Sequence, residues 1–228
     1  MGKKNDYNYS SNDQDLTESE KFTAEEAQNF WRSPTQKNSQ DKGLNNPTDY
    51  LSFNDNRSPV LLEIIEKHCD QKKNIKILEL GPNSGRNLNY LYQHGLTDVH
   101  GVEINADAIS LLNKTFPHLA GNVKLSSLED ELPSLGNDEF DLIFSMAVLE
   151  HISNESDFIL EEIKRVSSRF IITIEDEITS WSERHFPRNY RAIFEKNNDW
   201  KEIYSANCDE YNCLDDRFFI RVFEKIYK

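Results

Sequence analysis

The sequence predicts an α/β fold: a doubly wound, mostly parallel, seven-stranded sheet with helices on both faces, a C-terminal antiparallel hairpin and an N-terminal helical arm. Three observations predict it. Residues 74–92, N-I-K-I-L-E-L-G-P-N-S-G-R-N-L-N-Y-L-Y, read as strand, tight glycine turn and helix. From there to Ile174, strand-length apolar runs alternate with segments whose apolar residues recur at helical spacing, the order that builds a parallel sheet covered on both faces. Beyond it, Asp199 to Ser205 and Asp216 to Tyr227 alternate polar and apolar residues, as half-buried antiparallel strands do.

Taken in order, residues 1–22 form a polar, disordered tail, because they have almost nothing to bury. Residues 23–57 form an arm. Thr23-Ala24-Glu25-Glu26 is a capping box opening a helix to about Trp31, with Ala27, Phe30 and Trp31 as its apolar stripe. The polar stretch 33–49, with Pro34, Gly43 and Pro47, reads as a loop before Tyr50-Leu51-Ser52-Phe53. These aromatics either anchor the arm or let Trp31, Tyr50 and Phe53 close over a ligand. The main domain, 58–228, starts with Ser58 as N-cap and Pro59 at the first helical position. Leu61, Leu62, Ile64 and Ile65 supply that helix's buried face.

In the first strand Ile75, Ile77, Leu78 and Leu80 are apolar. The chain breaks at Gly81-Pro82-Asn83-Ser84-Gly85, and Leu88, Leu91 and Tyr92 then share a helix face that Gly95 stops. A turn of this kind bares backbone N–H groups at a helix N-terminus, and glycines without Cβ let a ligand approach. Val99 to Ile104 is a second strand ending in an acid. Glu103 lies 22 residues after Gly81, near the ~20-residue offset at which an acid reaches ribose hydroxyls. Asn105 caps the next helix, with Ile109, Leu112 and Phe116 on one face. Val123 and Leu125 mark a third strand, and Phe140 to Met146 a fourth. Ile159, Ile163 and Val166 share the next helix face, and Arg169 to Ile174 is a fifth, buried strand.

Composition excludes several classes. A net charge of −14 disfavours nucleic acid and anionic membrane surfaces as partners. No run of 18 apolar residues exists. The N-terminus lacks the apolar core of a secretory signal, and Asp6 stands where a myristoylation motif needs Ser or Thr. Cys69, Cys208 and Cys213 are an odd, sparse set, as in a reducing cytoplasm, and the latter two lack the partners of a zinc site. No metal site is expected, and the chain is expected to be a cytoplasmic monomer or homodimer.

Two motifs carry a resemblance. E-x-G-x-x-x-G, formed by Glu79, Gly81 and Gly85, resembles motif I of the class I S-adenosylmethionine-dependent methyltransferases. F-D-L-I-F-S…L-E-H-I, from Phe140 to Ile152, is similar to motif IV and its following turn in their small-molecule branch. The resemblance covers about residues 58–175 and implies a Rossmann-like sheet that binds S-adenosylmethionine. It implies cofactor contacts from Arg57, Glu79, Gly81, Asn83, Gly85, Arg86, Asn87, Glu103, Ile104, Ser127, Leu128, Ser145, Met146 and Ala147. Ser127 departs from the pattern, which often has an acid there; Glu129 or Asp130 are the alternatives for an adenine contact.

The implied reaction is in-line methyl transfer to an O or N nucleophile of a small molecule, such as a sugar or an amino compound. His151, Glu175 and His185 are the candidate catalytic residues. His151 stands first, because it follows the fourth strand and has the intrinsic pKa of a base. Asp176 and Glu177 are further acids able to orient an amine, and Trp181, Phe186 and Tyr190 are expected to wall the acceptor pocket. A nicotinamide-dependent oxidoreductase is disfavoured, because Pro82-Asn83 replaces the middle glycine of the dinucleotide fingerprint. A non-catalytic adenosyl-binding protein is the third reading.

Overall fold

The structure is a computed structural model that describes residues 16–34, 45–52, 56–69, 74–180 and 182–227. Phe53 and Trp181 lie outside the described residues, as do 1–15 of the expected tail and 35–44 of the expected loop.

The helices of the arm are α1 (Ala24–Arg32) and α2 (Pro47–Ser52). α1 is opened by the expected capping box, Thr23 with Glu26. Next come α3 (Arg57–His68), β1 (Ile77–Leu80), α4 (Arg86–Gln93), β2 (Val99–Glu103), α5 (Ala106–Thr115), β3 (Val123–Leu125) and α6 (Leu128–Glu131). The chain continues with β4 (Phe140–Met146), α7 (Phe158–Val166), β5 (Ser167–Asp176), α8 (Tyr190–Phe194), β6 (Trp200–Asn207) and β7 (Phe218–Lys225).

The seven strands form one sheet in the order β3-β2-β1-β4-β5-β7-β6. β1 to β5 pair in parallel, and β7 pairs antiparallel with both β5 and β6. Strand order reverses between β1 and β4, which is where such sheets open a crevice beyond their carboxyl ends. Both faces are covered. Leu61, Ile64 and Ile65 of α3, Leu88 and Leu91 of α4, and Leu112 of α5 pack with Ile77, Val99, Leu142 and Phe144 of the sheet. On the other face Ile159, Ile163 and Val166 of α7 and Phe194 of α8 pack with Leu78, Leu80, Ile143 and Ile171.

Three local expectations change. Asn56, not Ser58, sits at the N-cap of α3. Ser58 instead donates to Asn87 Oδ1 at 2.7 Å, a buried bond joining α3 to α4. The tail is not wholly free: residues 16–22 pack along the loop after β5. Leu16 N–H donates to Ser180 O at 3.1 Å and Phe22 N–H to Glu183 O at 2.8 Å. Lys21 Nζ donates to the carbonyls of Ser180, Ser182 and His185 at 2.7–2.9 Å. Satisfied carbonyls, not apolar burial, order this segment, so hydropathy does not reveal it.

The glycines of the turn have a different reason from ligand access. Gly81 and Gly85 have φ of +65° and +80°, a region costly for residues with a Cβ. A Cβ on Gly85 would stand 2.5 Å from Leu112 Cδ1, and one on Gly81 2.8 Å from Val148 Cγ2. Gly85 thus lets α5 close onto the turn. Gly85→Ala is expected to destabilise the protein by about 2–4 kcal/mol, combining backbone strain and overpacking. Denaturant unfolding checks this, and Leu112→Ala should be less harmful in the Gly85→Ala background than alone, because it relieves the clash.

Candidate active site

One cavity of about 720 Å³ opens at the carboxyl edge of the sheet. The loops after β1, β2, β3, β4 and β5 all reach it, as does the start of β7. Its first half holds most of the expected cofactor residues: Arg57, Glu79, Gly81, Asn83, Arg86, Asn87, Glu103, Ile104, Leu128, Met146 and Ala147 all line it.

The geometry here is built from the turn. Glu103 is buried, and its two carboxylate oxygens accept from Asn83 N–H at 2.7 Å and Asn105 N–H at 2.8 Å. It therefore ties the glycine turn to the N-terminus of α5, which Asn105 caps as expected. Glu79 is 3% exposed. Asn87 Nδ2 donates to its Oε1 at 2.8 Å, while its Oε2 has no hydrogen-bond partner among the described residues. A buried oxygen without a partner, on a residue that lines a cavity, suits a ligand that brings donors or positive charge. Burial pushes Glu79 up to about 8, Asn87 opposing, and also raises Glu103.

Three expected cofactor residues do not line the cavity. Gly85 is packed against Leu112. Ser145 is buried within β4, in register with Leu80 and Thr173. Ser127 is spent as the N-cap of α6, its Oγ accepting from Asp130 N–H and donating to Asp130 Oδ2 at 2.8 Å. Asp130 is therefore occupied too, and Ser126 and Glu129 line the cavity in their place.

The other half contains His151 and His185, but not Glu175. Glu175 is 0% exposed. Its carboxylate accepts from Val148 N–H at 3.0 Å and Glu150 N–H at 3.1 Å, clamping the loop after β4. Burial raises it to about 7. Glu177 is paired with Arg221 at 2.6 Å, and Asp176 accepts from Ile178 and Thr179 N–H at 2.9 Å. Phe186 and Tyr190 do not wall the cavity. Both are buried, Tyr190 inside the apolar cluster under α7 and α8.

The residue that sequence reasoning missed is Glu150. It is 3% exposed and lines the cavity. Its Oε2 accepts from Asp176 N–H at 2.5 Å. Its Oε1 lies 3.5 Å from His151 Nε2. Burial, reinforced by Glu175, raises its carboxyl well above the usual range. His151 Nδ1 lies 3.0 Å from the Arg184 carbonyl; a carbonyl only accepts, so Nδ1 carries the proton and Nε2 presents a lone pair. Burial holds His151 neutral, down to about 3, and depresses His185 as well. The two rings meet edge to face with centroids 4.8 Å apart. Trp31 of the arm covers His151, at 4.6 Å. Sequence reasoning also missed Asp215, Asp216, Arg217 and Phe218. Antiparallel pairing sets Phe218 opposite Asp176, so the start of β7 meets the carboxyl ends of the parallel strands. The L-E-H-I motif itself was the available signal for Glu150.

Comparison with known proteins agrees with this geometry. A family model described as a methyltransferase domain matches residues 78–169. A ubiquinone biosynthesis O-methyltransferase of Rickettsia bellii is 27% identical over 117 residues, 50% of this chain and 47% of that protein. The match thus spans about half the length of that relative. Among solved structures, a SAM-dependent methyltransferase from Aquifex aeolicus is similar with a TM-score of 0.56 and 16% identity, covering 80% of this chain and 99% of that one. Magnesium protoporphyrin IX methyltransferase from Synechocystis PCC 6803, with bound SAM, has a TM-score of 0.61 and 12% identity, covering 92% of this chain and 98% of that one. These likenesses establish the fold. Among the described residues no helix is long and apolar enough to cross a membrane.

The buried acids give a pH signature. Glu79 titrates near 4.5 unfolded and about 8 folded, so its contribution to stability is complete below 4.5 and is lost as pH rises through 8. The histidines act oppositely, losing their contribution as pH falls below 6.5. Glu79→Gln is expected to flatten the alkaline loss of stability of the ligand-free protein. Thermal unfolding across that window checks it; a variant with the wild-type slope refutes the assignment.

Proposed function

A methyltransferase-domain family model matches residues 78–169, and from that premise we propose that the chain is a class I S-adenosylmethionine-dependent methyltransferase that methylates a hydroxyl group of a small molecule. The observation that carries this reading is the continuous cavity, about 720 Å³, with a carboxylate-lined cofactor half and a histidine-lined half. That volume falls within the range of small-molecule sites.

The residues present fit the cofactor. The unsatisfied Glu79 oxygen suits its ammonium, Glu103 its ribose hydroxyls, and Arg57 its carboxylate. Bound there, S-adenosylmethionine supplies an electrophilic methyl group on a sulfonium. The chain's own part is placement, for which effective molarity is worth about 7–11 kcal/mol. His151 and Glu150 present acceptor atoms, Nε2 and Oε1, toward one point. Nε2 can take the single proton of a hydroxyl nucleophile, whereas an amine protonated at neutral pH has no lone pair to methylate. The weak similarity to an O-methyltransferase supports the same choice, and the net charge of −14 supports a small acceptor over nucleic acid.

Transfer of labelled methyl groups to a panel of hydroxyl and amine compounds tests the reading. Turnover of hydroxyl compounds is expected; turnover of amines alone would overturn it. In the same protein Glu103→Ala is expected to weaken cofactor binding by about 1–3 kcal/mol, the worth of hydrogen bonds to a charged acceptor. Calorimetry checks that value.

The N-terminal arm serves as the lid of the acceptor half. Supporting this, Trp31 lies on His151, and Lys21 is bonded to three carbonyls of the segment bearing His185. A lid of this kind excludes water from the reacting groups. Lys21→Ala is expected to speed hydrogen exchange in residues 16–32 and lower turnover, with cofactor affinity unchanged. Wild-type exchange and wild-type turnover together would remove the lid from the account.

A further inference from the structure

Glu150, His151 and His185 meet in a way that methyl transfer by placement does not require. One ligand atom from each lies within 4.8 Å of the others, and all three residues line the cavity. We propose that these three residues form a binding site for a borderline divalent transition-metal ion, of which Zn²⁺ is the type, on the acceptor side of the cavity.

The first argument is the contact between Glu150 and His151. With its Nδ1 proton donated to the Arg184 carbonyl, His151 turns a lone pair on Nε2 toward Glu150 Oε1 at 3.5 Å. Two electron-rich atoms facing each other in a buried place repel unless a positive centre lies between them. A shared proton or a cation meets that need. A proton bridges two atoms, whereas three converge here.

The second argument is the support behind each residue. Glu150 uses its other oxygen to accept from Asp176 N–H. The His151 ring is fixed by the Arg184 carbonyl, and the His185 ring by Ser182 Oγ, 2.6 Å from Nδ1. Metal-binding imidazoles are held in this manner by a second partner that sets tautomer and orientation.

The third argument is the donor set. Two imidazoles and one carboxylate suit zinc, iron or manganese rather than calcium or magnesium, and leave positions open to a substrate. Metal–ligand bonds of about 2.1 Å place tetrahedral ligand atoms about 3.4 Å apart, a contraction that side-chain rotation supplies. The surrounding charge is mixed. Lys21, Arg184 and Arg217 stand near His185, with Glu175 and Asp176 beside Glu150, and Lys21 and Arg217 engage carbonyls and Asp215 respectively. The open side of the ion faces the cavity, where it would bind a hydroxyl oxygen and lower its pKa.

The inference rests on the proposed function for its use but not for its test, which needs no methyl donor. Co²⁺ is titrated into the full-length protein freed of metal by a chelator, and read by visible absorption. Zn²⁺ retained after gel filtration is measured by elemental analysis. The expected result is about one ion per chain and a Co²⁺ spectrum without a thiolate charge-transfer band. His185→Ala should weaken Co²⁺ binding by at least about tenfold. Glu150→Gln, which keeps an acceptor for Asp176 N–H, should do the same if the first variant misfolds. Absence of Co²⁺ and Zn²⁺ binding in the wild type means that Glu150 and His151 share a proton, and overturns the proposal. A thiolate band, or wild-type binding in both variants, also overturns it.

Discussion

Two buried carboxylates, each holding the other's backbone, organise the carboxyl edge of this sheet. Glu175 at the end of β5 accepts N–H bonds from Val148 and Glu150 in the loop after β4. Glu150 in that loop accepts from Asp176 N–H at the end of β5. A buried N–H without a partner costs about 1–3 kcal/mol, so the reciprocal clamp holds both loops in register. The histidine-lined side of the cavity depends on it. His151 follows Glu150 directly, and the chain from Asp176 to His185 starts where the clamp ends.

The cost of the arrangement is charge. Glu79, Glu103, Glu150 and Glu175 are all nearly or fully buried at one edge of one sheet, and burial raises all four. Among the described residues their hydrogen-bond partners are mainly backbone N–H groups and Asn87. Such acids are expensive in the empty protein and well matched to a cationic ligand, since a ligand's charge then replaces lost hydration. The fold thus concentrates its buried carboxyl groups at the carboxyl edge of one sheet.

The N-terminal arm reaches the same edge by a different physics. Apart from Ala27 it buries little completely. It is held by Lys21 on carbonyls, by Ala24 N–H on Glu155 at 2.8 Å and by Arg184 stacked 4.9 Å from the Phe30 ring centre. Polar attachments of this sort exchange readily with water, as in segments of low local stability.

By itself the sequence determined the sheet, the glycine turn and most of the residues that line the carboxylate-bearing half of the cavity. These are local matters: apolar runs of strand length, helix faces, the spacing from Gly81 to Glu103, and the capping residues Thr23 and Asn105. The order of the strands, by contrast, is read from the structure. Only the tertiary structure decided the histidine-lined half of the cavity. Glu175, a plausible catalytic acid by position, became a buried clamp because β5 lies beside β4 and its last residues face the neighbouring loop's N–H groups. Glu150, one residue away from His151, became the cavity-lining partner of two histidines because the clamp uses its other oxygen and leaves Oε1 beside His151. His185 is 34 residues from His151 in the chain, and Phe218 further still. Their meeting depends on the loop after β5 folding back and on β7 running antiparallel, and no periodicity in the sequence encodes which side chains such long-range packing turns inward.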